Sequence, residues 1–458
     1  MTESRRTRRD VLKLGGAIAA SALLAACGAQ APTAAPTPAP AAAPTKPAEQ
    51  AAQPTAAAAG AKPAAAGGEI KFGCPGWWLS LLPWTYPAVD DYNSANASKP
   101  PIKIVRGDWD LTKVALEYRG GTYSYDFYTG NTAFVDGLRM TATQAFQNWD
   151  DYMPADIKSD IYDVYVKEST IDGKIWYWPS HAETPVLHYR KSYLKAAGLD
   201  APADNYTDLE GQLAKIEQTA RTAEGKPVRG IALDAITWRL WLSMAYNLAG
   251  DELFDQDKYP KTDHPAAVQA LEEAKKLNAY SPPEVLLGTT AIRDAFSAGQ
   301  VAILWGLGDQ RAASKVFGEN DWAFKRLPKF GDAKAPAVSM TWSSGFNLFK
   351  LSKNRDQVVD FMIWLTKSPD YFKNMVLQAQ FLPTFKHVYT QDWVPQWPKD
   401  HIQNCAAASF IPNSVYFLTF HKHFMNGQKD FLQGKIATAR DALAQIQKNF
   451  KEELAKMG

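Results

Sequence analysis

The sequence predicts an α/β fold in two lobes, and three observations predict it. Short apolar strands alternate with helix-like segments from about Glu69 to the end of the 458-residue chain. That is the order of a sheet covered by helices. The stretch is long enough for two ordinary domains. The chain carries 15 Trp and 19 Tyr, yet residues 28–68 contain neither. The aromatics that can pack or bind therefore belong to the folded body.

The first 26 residues read as an export signal. Arg8-Arg9 precede Asp10, Val11, Leu12 and Lys13, the order of a twin-arginine signal. An apolar run over residues 14–26 is too short to span a bilayer. It ends in Leu24-Ala25-Ala26-Cys27, the lipobox pattern. Cleavage before Cys27 and lipidation of its thiol are expected, which would anchor the chain on the outer side of the cell membrane. An ordinary cleaved signal with a chance cysteine is the plainer alternative. Residues 27–68 hold little but Ala, Pro, Thr, Gln, Gly and a few Lys. Such a segment cannot build a core and reads as a semi-rigid tether.

In the body, residues 69–73, 101–107 and 123–130 read as the first three strands. Helical segments lie between them, with Pro83 and Pro87 breaking the first. Residues 184–202 read as a strand and a short helix stopped at Gly198. The next helix, over 206–221, has Thr207 as N-cap and Glu210 three residues later. Residues 230–235 form a strand, 237–250 an apolar helix closed by Gly250, and 264–280 an amphipathic helix. Residues 290–317 read as helix, strand, turn and helix; residues 344–377 as a strand and a long helix from about Arg355.

Charge is nearly balanced, 50 Lys and Arg against 48 Asp and Glu. That argues against a nucleic-acid groove or a strongly acidic partner. Cys74 and Cys405 can pair in an oxidising compartment if they meet, which spacing cannot decide. His421 and His423 do not by themselves make a zinc site and read as a solvated basic patch. No metal, cofactor or catalytic residue is expected. The dinucleotide-like Gly306-Leu307-Gly308 lacks its third glycine and reads as a tight turn with Asp309 capping a helix.

Four motifs, in order, carry a resemblance: "TPVLHYRKSYLKAAGLDAP" (184–202), "DAFSAGQVAILWG" (294–306), "SSGFNLFKLSKNRDQVVDFMIWL" (343–365) and "FLPTF" (381–385). The body resembles the extracellular solute-binding proteins of ABC importers, in the carbohydrate-binding family that includes maltose-binding protein. Tyr189-Arg190 stands where the family has Tyr-Asn, and Ser343-Ser344 where glycines are common. The resemblance implies two α/β lobes of the periplasmic-binding type with a ligand cleft between them and about three crossing segments. These are expected near residues 186–189, 302–305 and 345–349. Lobe 1 would hold residues 69–185 and 305–345, and lobe 2 residues 186–304 and 346–458 with the C-terminal helices. It further implies a monomer that closes on a small carbohydrate and docks on membrane-spanning ABC permease subunits, with no catalysis.

A sugar presents apolar faces and hydroxyl edges, so its cleft needs aromatic rings with charged or amide groups beside them. On that chemistry the candidate ligand residues are Trp77, Trp78, Asp126, Asn131, Trp178, His181, Glu183, Trp238, Arg239, Trp305, Asp309 and Trp342. Each stands at a strand end, a helix start or an expected crossing. Packing is the competing role for the tryptophans, and capping for Asp126. In "KIWYW" (174–178), strand alternation puts Trp176 and Trp178 on one face and Tyr177 on the other. A tethered glycan-degrading enzyme would also be aromatic-rich, but it needs two carboxylates set across a cleft, and no spacing here supports a pair. Within the same fold the solute could instead be a polyol, a peptide or a sugar phosphate, the last met by Arg190, Arg239 and Arg311.

Overall fold

A computed structural model describes residues 68–457, apart from 108–110, 132–143, 235–237, 307–316, 319, 332–339, 380, 411–413 and 415. The strands, in chain order, are β1 (Ile70–Cys74), β2 (Ile102–Arg106), β3 (Phe127–Asn131), β4 (Phe146–Gln147), β5 (Thr170–Ile171), β6 (Lys174–Ile175), β7 (Trp178–Glu183), β8 (Val186–Arg190), β9 (Arg229–Leu233), β10 (Val301–Gly306), β11 (Trp322–Lys325), β12 (Met340–Phe349), β13 (Leu382–Pro383) and β14 (Ser409–Phe410).

Two sheets organise them. The first runs β13-β7-β12-β3-β1-β2, with β4 and β14 also on β12; the second runs β11-β8-β10-β9. The expected strand-helix alternation gives the parallel pairs β1–β2, β1–β3 and β9–β10. Strands β7, β8, β11 and β12 add antiparallel pairs, so both sheets are mixed. Each sheet has its own core. Phe72, Trp149, Trp178, Phe346 and Phe361 centre the first. Leu187, Trp241, Leu271, Ile303 and Trp305 centre the second. Side chains that are buried from both faces of a sheet leave strands reading as continuous apolar runs, as β10 does.

The lobes do not divide where the sequence motifs suggested. Strand β7 ends in the first sheet at Glu183 and β8 opens the second at Val186, so the first passage is Thr184-Pro185, just before the expected place. Residues 302–305 do not cross at all: β10 is central in the second sheet, and β11 after it still pairs with β8. The return comes at the start of β12. Met340 and Trp342 pack in the second core, while Phe346 and Leu348 pack in the first. Residues 345–349 are thus inside lobe 1. Helix Arg355–Thr366 follows them there through Val358, Phe361 and Met362. The last passage lies between β14 and helix Phe417–Leu432, which joins the second core with helix Ala439–Met457. Among the described residues, lobe 2 therefore takes 305–306, 317–318, 320–331 and about 417–457, and lobe 1 takes most of 340–410. The correction follows from pairing partners hundreds of residues apart, which local pattern does not encode.

The passages are tied to one another. The first residues of β12 pair with β14 on one side and, at Trp342, with Glu183 of β7 on the other. The Thr184 hydroxyl donates to Thr341 Oγ1 at 2.6 Å, and Tyr165 shares a hydrogen bond with the same oxygen at 3.0 Å. Ser343 donates its N–H and its hydroxyl to the buried Glu168 carboxylate. Gly345 sits at a register shift against β7, where a Cβ would lie 2.2 Å from the Trp178 carbonyl oxygen. Only glycine fits that close approach.

Local signals also shifted. Asn205, not Thr207, caps helix Tyr206–Thr219, accepting from the Asp208 N–H at 2.8 Å. Cys74 and Cys405 are both free and buried, so no disulfide forms between them. Burial raises both thiols, Cys405 to about 11. Among the described residues no helix is long and apolar enough to cross a membrane.

Candidate functional site

Three of the candidate residues converge at the seam between the lobes. Strand β9 ends at Leu233, and helix Trp238–Ala249 brings the chain back with Trp238 and Arg239 at its start. Strand β12 delivers Trp342 beside them as it passes between lobes. The Trp238 and Trp342 rings meet edge to face, centroids 5.4 Å apart. The Arg239 guanidinium lies 4.9 Å from the Trp342 ring centre and 5.6 Å from that of Trp238. It also pairs with Asp234 at 3.1 Å. Asp234 is fully buried, and its backbone N–H donates to the Trp305 carbonyl, which ties the end of β9 to β10. Gly306 ends β10 with φ +149, where an added Cβ would lie 3.2 Å from that of Asp234.

Helix Phe417–Leu432 closes the cluster with two residues that sequence reasoning missed. Phe417 and His421 meet the Trp238 ring at 5.6 and 6.3 Å, both edge-on. Burial, reinforced by the Arg239 charge, lowers the His421 pKa to about 4, so its imidazole is neutral at pH 7. The solvated-patch reading of 420–424 is thus corrected. His421 packs inward, and His423 pairs with Glu453 at 2.7 Å. A helical reading of that segment would have shown it, since residues 417 and 421 share a face. Asp234, an acid closing an apolar strand, was the available signal for the buried partner of Arg239.

The arrangement combines ring edges and faces, a planar guanidinium fixed in position by a buried carboxylate, and a neutral imidazole. Such a set suits a ligand with apolar faces and hydroxyl edges. Among the described residues no group of three or more His, Cys, Asp or Glu is placed to hold a metal ion.

The other candidates divide into two groups. Trp78, Asp126, Trp178, His181 and Trp305 are buried inside single lobes. Trp78 donates to Thr85 Oγ1 and packs on Phe346. Trp178 donates to Thr366 Oγ1 at 3.2 Å and meets Trp149 edge-on. His181 stacks on Phe381 with centroids 4.5 Å apart. Trp305 lies in the second core. Asp126 accepts from the Lys71 N–H, the Ser352 hydroxyl and the Asn354 amide, a knot that fastens β1 to the turn after β12. These five pack or fasten where ligand contact was expected. In "KIWYW" the strand starts only at Trp178, so Trp176 and Trp178 do not share its face. Trp176 is half-buried and donates to the Ile171 carbonyl instead. Asp309 and Arg311 lie outside the described residues, as do the side chains of Trp77, Asn131 and Glu183. Arg190 is taken up by Asp321 at 2.6 Å and stacks between Tyr193 and Phe317, which removes it from any phosphate site.

Comparison with known proteins places the molecule. The family described as bacterial extracellular solute-binding protein matches residues 87–402. A Deinococcus radiodurans protein named "Probable ABC transporter-binding protein" is 26% identical over 251 residues. That match spans 51% of this chain and 57% of the relative, short of the relative's whole length. Among solved structures, the GacH receptor of Streptomyces glaucescens, studied unliganded and with acarbose, has a TM-score of 0.69 at 18% identity, covering 84% of this chain and 98% of its own. A Thermus thermophilus maltotriose-binding protein bound with maltotriose has a TM-score of 0.67 at 16% identity, covering 84% and 100%. A solute-binding protein of Agrobacterium radiobacter K84 in complex with ribitol has a TM-score of 0.70 at 17% identity, covering 85% and 100%.

Proposed function

This chain belongs to the bacterial extracellular solute-binding proteins, and from that premise we propose that it captures a carbohydrate outside the membrane, closes its lobes around it and delivers it to an ABC permease. The observation that carries the sugar is the Trp238–Arg239–Trp342 cluster, set where the two lobes meet. Rings would cover the apolar faces of the sugar, and Arg239, Asp234 and His421 would meet its hydroxyls. The relatives in fold that were solved with acarbose and maltotriose favour an oligosaccharide. The ribitol-bound relative favours a second reading, a polyol. No catalytic step belongs to either reading. In this account the protein works as a monomer. Arg8-Arg9 direct its export, and a lipid on Cys27 with the 28–68 tether holds the body near the permease; the mass of the mature N-terminal peptide tests the anchor.

The deciding experiment titrates mono- and oligosaccharides and ribitol against the protein, following tryptophan fluorescence and the appearance of hydrolysis products. A saturable change with oligosaccharides and no product is expected. Affinity for monosaccharides or ribitol alone would overturn the oligosaccharide, silence across the panel would overturn the sugar, and turnover would overturn the binding role.

A further inference from the structure

A groove crosses the seam away from the tryptophan cluster. Its volume is about 690 Å³, within the range of small-molecule sites. One wall comes from lobe 1, the helix Asp163–Ser169 with Thr170; the other comes from lobe 2, Tyr246 to Lys258; and Ser409 lies at the last passage between them. Trp238 and Tyr246 stand on one helix eight residues apart, which is about 12 Å along its axis. The groove is therefore distinct from the tryptophan cluster. Across the seam here, the Ser409 hydroxyl donates to Tyr246 Oη at 2.9 Å.

The charges of the groove are not equivalent. Its two acids are engaged: Asp163 pairs with Lys386 at 3.3 Å, and Asp251 accepts from the Tyr246 hydroxyl at 3.2 Å. Its two lysines, Lys167 on lobe 1 and Lys258 on lobe 2, have no ion-pair partner among the described residues. Lys258 also has φ +66, a left-handed conformation that costs an L side chain energy and that glycine or asparagine would adopt more readily. The turn holds it there through Asp255, whose carboxylate accepts from the Asp257 and Tyr259 N–H groups. A long cationic side chain kept at a strained position on the wall of the groove points to a use for its charge.

We propose that this groove is an anion site in which a small carboxylate- or phosphate-bearing molecule bridges Lys167 and Lys258 and so ties lobe 1 to lobe 2. Two ammonium groups on opposite walls supply the charge-assisted donors, while the Thr170, Ser409 and Tyr246 hydroxyls donate within the walls, to the Val166 carbonyl, Tyr246 Oη and Asp251. Occupancy joins the lobes, so it stabilises the folded chain as any ligand of the native state does.

The test uses the full chain with citrate and inorganic phosphate as probes, at constant ionic strength set with chloride, and with no sugar present. Calorimetry should show saturable binding of at least one probe, with a rise in Tm. Lys167→Gln and Lys258→Gln should each weaken that binding about three- to fivefold. Lys258→Gly should weaken it likewise without lowering the Tm of the anion-free protein, since it relieves the strained φ. Lys448→Gln, in the C-terminal helix, should bind as wild type. Binding that neither groove lysine affects, binding lost equally with Lys448→Gln, or no saturable binding of either probe would overturn the proposal. These readings need no solute in the tryptophan cluster, so the proposed sugar site stands or falls separately.

Discussion

Trp178 and Trp342 are alike in composition terms and differ in the role proposed for them. Trp178 is fully buried, spends its N–H on Thr366 and fills a lobe core. Trp342 stands at the seam under the Arg239 guanidinium. Trp178→Ala should therefore cost about 3–5 kcal/mol of stability, read by denaturant unfolding. Trp342→Ala should weaken binding of the proposed sugar about 10- to 100-fold, read by the fluorescence titration. Unchanged affinity in Trp342→Ala would remove the cluster from the site. Sequence could nominate both residues, because both lie near strand ends. It could not tell them apart, since both rings are buried and what separates them is their neighbours: Trp149 and Thr366 within one lobe for Trp178, Trp238 and Arg239 at the seam for Trp342.

Among elements, β12 does the most. Its first residues pack with lobe 2, its last with lobe 1, and it is paired along both edges by strands distant in sequence. Gly345 makes the tight β7–β12 approach possible. Gly345→Ala should cost about 1–3 kcal/mol, seen as a lowered Tm, because the methyl would meet the Trp178 carbonyl at 2.2 Å. A variant that melts like wild type would mean that the two strands separate easily. The strand itself was legible from its apolar run and the SKN turn after it. Its passage between lobes was not, because a crossing differs from an ordinary strand only in its partners. The same limit moved the expected crossing at 302–305 into the middle of the second sheet.

At the scale of the whole molecule, the lobes also meet away from the hinge strands. Helix Gln396–Ala406 of lobe 1 lays His401 on Phe324 of β11, centroids 4.8 Å apart, and Trp397 against Trp322. Beneath it lies His188 of β8. Burial is the main cause that lowers His188 to about 3 and His401 to about 4. Their folded pKa values lie below the unfolded value of about 6.5, so the unfolded chain binds more protons between those limits. Stability is then full above about pH 6.5 and falls as pH drops toward 4, by roughly 3 kcal/mol for His401 alone. Urea unfolding at pH 7.5, 6, 5 and 4 should show that slope. His401→Phe, which keeps the stack on Phe324, should flatten it; an unchanged slope would assign the acid sensitivity to other groups.

The sequence by itself determined the kinds of element, their order and the family-like motifs of the body, and the proposed export signal and tether are read from it alone. These depend on local periodicity, capping and composition, which a short window of residues carries. It also brought Trp238, Arg239 and Trp342 forward as binding candidates. Only the tertiary structure decided that these three meet, that Asp234, Phe417 and His421 complete their surroundings, and that Trp78, Asp126, Trp178, His181 and Trp305 serve single lobes. Only it placed the passages between lobes and left two lysines facing one groove. Burial and contact are set by residues far away in sequence, and the face a side chain presents becomes a site or a core only when its opposite wall is known.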